Sequence, residues 1–162
     1  LAEMIRHLQK HNKLEDDFEL SESKIIIKTN KSCFIPDDYI SESKIKIEIY
    51  KKLSSCFDIQ LLEKIANELT DRFGRPPAPV LNLLKTVKLK IFAFNNGIDE
   101  IIFKPAGIHI KFGDNKILDK LKNSRICVIE NYNAGIIVLP LNNMNDDTDI
   151  DNKLEILNKL LK

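Results

Sequence analysis

The chain has 162 residues, of which 43% are hydrophobic and 30% are charged, so it is long enough and apolar enough to fold around a core. Its 25 basic and 24 acidic side chains leave a net charge of +1, which argues against a dedicated nucleic-acid-binding protein, since such proteins concentrate lysine and arginine. The three cysteines make no CxxC pair, and neither a membrane-spanning run nor a signal peptide is recognisable, so we expect reduced thiols and a cytoplasmic location.

Residues 1–23 are predicted to be a short helix, residues 1–11, followed by a polar, acidic linker. Because the chain begins with Leu1 rather than Met, inside this helix, we expect it to be a fragment of a longer protein. His7 and His11 have a spacing that metal ligands use on helices, but a third ligand is missing and no metal is expected there. Residues 24–162 are expected to form the domain itself, beginning with a strand at Lys24–Asn30.

A turn is predicted at Cys33–Tyr39, because Pro36 is incompatible with a central strand position. The next segment, Lys44–Leu53, fits two patterns. Ile45, Ile47 and Ile49 alternate as in a strand, but Ile45 and Ile49 also share a helical face with Leu53. A preceding serine that could cap a helix, and lysines near the end, favour the helix without deciding the matter.

Two longer helices are predicted next. In Asp58–Phe73, apolar residues recur at alternating spacings of three and four, Asp58 can cap the start, and Gly74 suits a left-handed C-cap. The second helix, Ala78–Asn96, has proline in its first turn and apolar residues on more than one side.

After Gly97 the hydrophobic period changes to two, which predicts strands. One antiparallel pair is expected at Ile98–Lys104 and Gly107–Phe112. A second strand pair is expected at Arg125–Glu130 and Gly135–Leu139. A short helix is expected at Asn115–Lys122, between the two pairs, and a final helix at Asp151–Leu161. The predicted fold class is therefore α+β, with a helical N-terminal half packed on a small, mostly antiparallel sheet and a C-terminal helix.

The sequence contains none of the phosphate-loop, dinucleotide-binding, zinc-protease or nucleophile-elbow patterns, so we expect no catalytic residue, no cofactor and no metal. His109 alternates with isoleucines in a predicted strand and is expected to be exposed. Aspartates alternate at 147, 149 and 151, but asparagines stand where a calcium loop needs its glycine and its bidentate acid. Asp151 is instead expected to cap the last helix.

The outward face of the predicted helix Asp58–Phe73 carries four charged residues close together: Lys64, Glu68, Asp71 and Arg72. A charged outer helical face is usually solvated, and the pattern alone favours that interpretation over a binding surface.

The segment from Ile35 to about Phe112 resembles the C-terminal (TRCF) domain of the bacterial transcription-repair coupling factors, the Mfd family. The residues that carry the resemblance are, in order, Ile35-Pro36-Asp37-Asp38-Tyr39-Ile40, Ile49-Tyr50-Lys51-Lys52-Leu53, Glu68-Leu69, Asp71-Arg72-Phe73-Gly74, Pro77, Pro79-Val80, Leu83-Leu84, Lys88-Leu89 and Gly97-Ile98. The order and spacing of these pieces make the resemblance specific, and it implies a helix for Lys44–Leu53.

The resemblance also implies a function. In this family the domain has no catalytic activity, and the ATPase motor lies upstream. The domain docks on the protein's own N-terminal UvrB-like module, hides the surface that recruits UvrA, restrains the motor, and releases when RNA polymerase is engaged. The charged helix end of the family maps onto Glu68, Asp71 and Arg72, which are therefore the predicted partner-binding residues.

DNA is expected to be bound by the parent protein and not by this domain, and no membrane contact is expected. The alternative is an accessory nucleic-acid-binding domain of a DNA repair protein that uses Lys85, Lys88 and Lys90.

Overall fold

The computed structural model describes residues 24–142 and 146–162. The predicted helix and linker of residues 1–23, with His7 and His11, lie outside the described residues. Contacts between residues divide the chain after Phe92 into two units, which are described in turn.

The first unit contains a short strand and most of three helices. The strand β1 is Ile26–Lys28, and the helices are α1 (Ser43–Ser54), α2 (Ile59–Phe73) and α3 (Ala78–Asn95), whose last turn enters the second unit. The helical alternative for Lys44–Leu53 is thus confirmed.

Local signals explain where these elements begin and end. The carbonyl of Pro36 accepts hydrogen bonds from the backbone N–H groups of Tyr39 and Ile40, which closes the predicted turn before α1. Asp58 caps α2, since its Oδ1 accepts a hydrogen bond of 2.7 Å from Gln60 N. Gly74 ends α2 with a positive φ of 82°, which L side chains rarely adopt.

The core of the first unit is formed by the inner faces of the three helices together with the chain before α1. Its fully or nearly fully buried members are Cys33, Ile35, Ile40, Ile49, Tyr50, Leu53, Cys56, Leu62, Ile65, Leu69, Val80, Leu83, Val87 and Ile91. Tyr50 is the one phenol in this set, and its hydroxyl oxygen accepts a 2.8 Å hydrogen bond from Ile35 N.

This buried phenol predicts a loss of stability at alkaline pH. Burial raises the pKa of Tyr50 from 10.0 to about 12. The raised pKa stabilises the folded state below pH 10, and this contribution is lost as the pH rises toward 12, roughly 2 kcal/mol in all. In urea titrations at pH 9–12, we expect the free energy of unfolding to fall more steeply for the unchanged chain than for Tyr50→Phe. Parallel curves for the two proteins would contradict the assignment.

The second unit is built around antiparallel strands. Its strands are β2 (Ile98–Lys104), β3 (Gly107–Phe112), β4 (Val128–Asn131) and β5 (Ile136–Leu139), which lie in the order β2-β3-β5-β4. All three neighbouring pairs are antiparallel. A 3-10 helix, Asn115–Lys120, precedes β4, and helix α4, Asp147–Leu161, closes the chain and contacts the 3-10 helix. The predicted α+β class is confirmed.

Two of the element boundaries predicted for this unit need correction. The strand predicted at Arg125–Glu130 is Val128–Asn131. The last helix begins at Asp147 rather than Asp151, because the side chain of Asp146 caps it by accepting hydrogen bonds from Thr148 N and Asp149 N.

His109 was predicted to be exposed, but only 12% of its side chain is accessible, and its Nδ1 lies 3.1 Å from a carboxylate oxygen of Glu130. Alternation along a strand predicts which face of the sheet a residue lies on, but it does not predict whether other side chains cover that residue.

Of the helices that the structure describes, none combines the length and the hydropathy needed to cross a lipid bilayer.

Candidate docking site at the end of helix α2

The end of α2 is tied to the turn that precedes α1. The Tyr39 hydroxyl lies 3.1 Å from the carbonyl oxygen of Leu69 and 2.9 Å from that of Gly74, so its one proton is shared between two acceptors. The Tyr39 ring also meets the Phe73 ring edge to face, with centroids 6.0 Å apart. These contacts hold the last turn of α2 and the Gly74 cap in one arrangement.

Glu68 lies at the centre of a cluster of charges near this end. Its Oε1 accepts a 2.8 Å hydrogen bond from Arg72 Nη1, one helical turn further on. Lys52 Nζ, from the last turn of α1, contacts both oxygens of the same carboxylate, at 3.2 and 3.0 Å. The hydrogen bonds from Lys52 and then Arg72 hold the pKa of Glu68 below its usual value, so Glu68 is ionised at neutral pH.

Asp71 has different surroundings from Glu68. It lies on the outward face of α2, in line with three other exposed residues, Gln60, Lys64 and Asn67. Within residues 24–142 and 146–162, no hydrogen bond or ion pair involves its carboxylate. The structure therefore separates the predicted site residues: Glu68 and Arg72 are paired with each other, and Asp71 is available to a partner.

The C-terminal end of α1, which carries Lys52, is held in place by a buried lysine of α3. Lys90 of α3 is fully buried, and its Nζ donates to the backbone oxygens of Leu53 at 3.3 Å and Ser54 at 2.9 Å. Its ammonium group also lies 4.2 Å from the centroid of the Phe57 ring. A cation at the C-terminus of a helix meets carbonyl groups that have no partner within the helix.

Comparison with known proteins shows the family. The model of the TRCF domain matches residues 29–122, which include α1, α2 and the whole charged cluster. The chain belongs to the TRCF domain family.

Two relatives illustrate how far the similarity reaches. The transcription-repair-coupling factor of Rickettsia bellii (strain RML369-C) is 33% identical over 131 residues, which is 80% of this chain and 10% of the relative. That of Staphylococcus aureus (strain USA300) is 39% identical over 69 residues, 43% of this chain and 6% of the relative. The chain thus spans between 6% and 12% of the length of the curated relatives it matches.

A solved structure agrees with these matches. The crystal structure of the C-terminal domain of a transcription-repair coupling factor superposes with a TM-score of 0.70 at 26% identity, covering 86% of this chain and 92% of the solved chain. The matching structure is thus a C-terminal domain of a transcription-repair coupling factor, and most of that solved chain has a counterpart in this one.

The lysines of the alternative function do not form one surface in this TRCF domain. Lys85 and Lys88 are exposed on α3, but Lys90 is buried beneath α1 and cannot reach a phosphate. The buried Lys90 therefore contradicts the part that the alternative function assigned to it.

Sequence reasoning missed Lys52 as a member of the cluster. Lys52 and Glu68 are 16 residues apart and lie on different helices, so no spacing rule relates them. The one available signal is that both lie in segments that carry the TRCF resemblance.

Proposed function

We propose that this TRCF domain is a non-catalytic regulatory module of a transcription-coupled DNA repair translocase. It docks through the end of α2 on the N-terminal UvrB-like module of its own parent protein. Docking covers the surface that recruits UvrA and restrains the ATPase motor. Engagement of RNA polymerase by the parent protein releases the domain.

The observation that carries this proposal is the exposed charge cluster within the family match. Glu68, Arg72 and Lys52 are only partly accessible, with 37%, 46% and 49% of their side chains exposed, and they bind one another. The carboxylate of Asp71 has no partner in the part of the chain that the structure describes. A basic group on the partner that meets Asp71 would supply the missing ion pair in a site from which water is excluded.

A double charge reversal tests the proposal. Exposed ion pairs contribute roughly 0–1 kcal/mol to folding, whereas removing one member of a pair buried in an interface costs about 2–5 kcal/mol of binding energy. We expect Glu68→Lys with Asp71→Lys to weaken binding to the N-terminal module at least about tenfold, which is ~1.4 kcal/mol. The measurement is a calorimetric titration of the module with the 162-residue chain, alongside urea unfolding to verify stability.

The matched control is Glu48→Lys with Glu63→Lys, which makes the same change in net charge at two exposed carboxylates outside the cluster. Binding that falls equally for both double variants would indicate an effect of net charge alone. Unchanged binding of the Glu68→Lys, Asp71→Lys variant would mean that these residues are solvated and do not contact the module. In the intact parent protein, the Glu68→Lys, Asp71→Lys variant should bind UvrA before the protein engages RNA polymerase.

A further inference from the structure

We propose, on the basis of the docking role above, that Lys52 is a positioning residue of the docking site. Lys52 lies on α1, whereas the predicted site residues all lie on α2. It acts on the partner indirectly, through Glu68 and Arg72, by holding both side chains in the arrangement that the partner meets.

The backbone that carries Lys52 is fixed. The next residue, Leu53, is fully buried, and its carbonyl oxygen accepts a hydrogen bond from the buried Lys90. The carbonyl of Ser54 accepts a second one. The Lys52 side chain therefore extends from a rigid point toward α2.

The contact that Lys52 makes is two-pronged. Its Nζ lies 3.0 Å from Oε2 and 3.2 Å from Oε1 of Glu68, and Arg72 donates to Oε1 at 2.8 Å. Without Lys52, Glu68 would keep only a pair within its own helix, and such pairs on exposed helices are weak and mobile. Lys52 thus restrains Glu68 from a second helix, and Glu68 in turn restrains Arg72.

The consequence for binding is preorganisation. Long side chains such as Glu and Arg lose rotamer freedom when an interface orders them, and this loss opposes binding. A site in which Lys52 has already ordered them binds more tightly, although an exposed pair contributes little to folding. Lys52 should therefore matter for docking and hardly at all for stability.

The test is a set of single and double variants, each titrated calorimetrically against the N-terminal module. We expect Lys52→Met to weaken binding about three- to tenfold, with Lys52→Arg restoring most of it because Arg can contact the same carboxylate. Lys52→Met and Glu68→Gln should not add, since both break the same contact, whereas Lys52→Met and Asp71→Asn should add. Lys44→Met, the loss of an exposed lysine two turns earlier on α1, is the control and should bind like the unchanged chain.

The outcomes separate this inference from the proposed function. If Asp71→Asn weakens binding and Lys52→Met does not, or if Lys52→Met tightens binding, the role of Lys52 is overturned and the docking site stands. If neither variant changes binding, both are overturned. Full additivity of Lys52→Met with Glu68→Gln would also overturn the inference, because Lys52 would then act independently of Glu68.

Discussion

Lys90→Ala should lower the free energy of unfolding by about 3 kcal/mol or more. The substitution removes a fully buried side chain, its two hydrogen bonds to the end of α1 and its contact with the Phe57 ring. Truncation of buried side chains of this size costs about 2–5 kcal/mol, and a buried acceptor left without its donor costs about 1–3 kcal/mol more. Urea unfolding monitored by circular dichroism measures the effect.

Two further variants show which part of the Lys90 side chain matters. Lys88→Ala, on the exposed side of the same helix, should change the free energy of unfolding by no more than about 0.5 kcal/mol. Lys90→Met keeps most of the volume and should lose about 1–2 kcal/mol through the missing hydrogen bonds. A more stable Lys90→Met protein would show instead that burying the charge costs more than its hydrogen bonds return.

Gly107→Ala should destabilise the second unit by about 3 kcal/mol. Gly107 has a φ of 140°, and a Cβ at this position would lie 2.2 Å from the backbone oxygen of Leu139. Strained backbone conformations cost about 1–3 kcal/mol, and overpacking costs a similar amount. Because backbone rather than a flexible side chain is in the way, β3 and β5 would have to separate where Ile108 pairs with Leu139. Hydrogen exchange of the β3 and β5 amides reports this opening directly.

Gly97→Ala is the matched control for this substitution. Gly97 also has a positive φ, 65°, but a Cβ there would meet no atom within 4 Å. It should therefore show only the conformational penalty of about 1–2 kcal/mol. Equal losses for the two variants would mean that the close approach to Leu139 contributes nothing.

The parts of this fold that depend on local signals could be predicted from the sequence. Helix α2 has a side-chain cap at Asp58, an uninterrupted apolar stripe and a glycine at its end, and its predicted range differs from the observed one by one residue. The start of α4 could not be predicted in the same way. Aspartates at 146, 147, 149 and 151 are all able to cap a helix, and only the folded backbone selects Asp146.

The candidate site divides along the same line. The pair of Glu68 with Arg72 follows from a spacing of four within one helix, so it is visible in the sequence. The partnership with Lys52 and the burial of Lys90 depend on how α1, α2 and α3 pack. Residue type alone predicts that a lysine is exposed, since lysine is almost never fully buried. Lys90 is an exception because its ammonium group donates hydrogen bonds to two carbonyl oxygens at the end of α1.

The small number and the neutral net charge of the proposed docking residues have a consequence for how docking would be maintained. These residues are two cations, Lys52 and Arg72, and two anions, Glu68 and Asp71. Their combined electrostatic field therefore falls off quickly with distance and cannot attract a distant partner. If docking occurs within one polypeptide, the tether replaces that attraction by supplying an effective concentration on the order of 1 mM. At that concentration, a contact with a dissociation constant of about 10 µM would still be closed about 99% of the time. A weak interface is then sufficient for restraint, and it can be opened by any event that pulls the two modules apart.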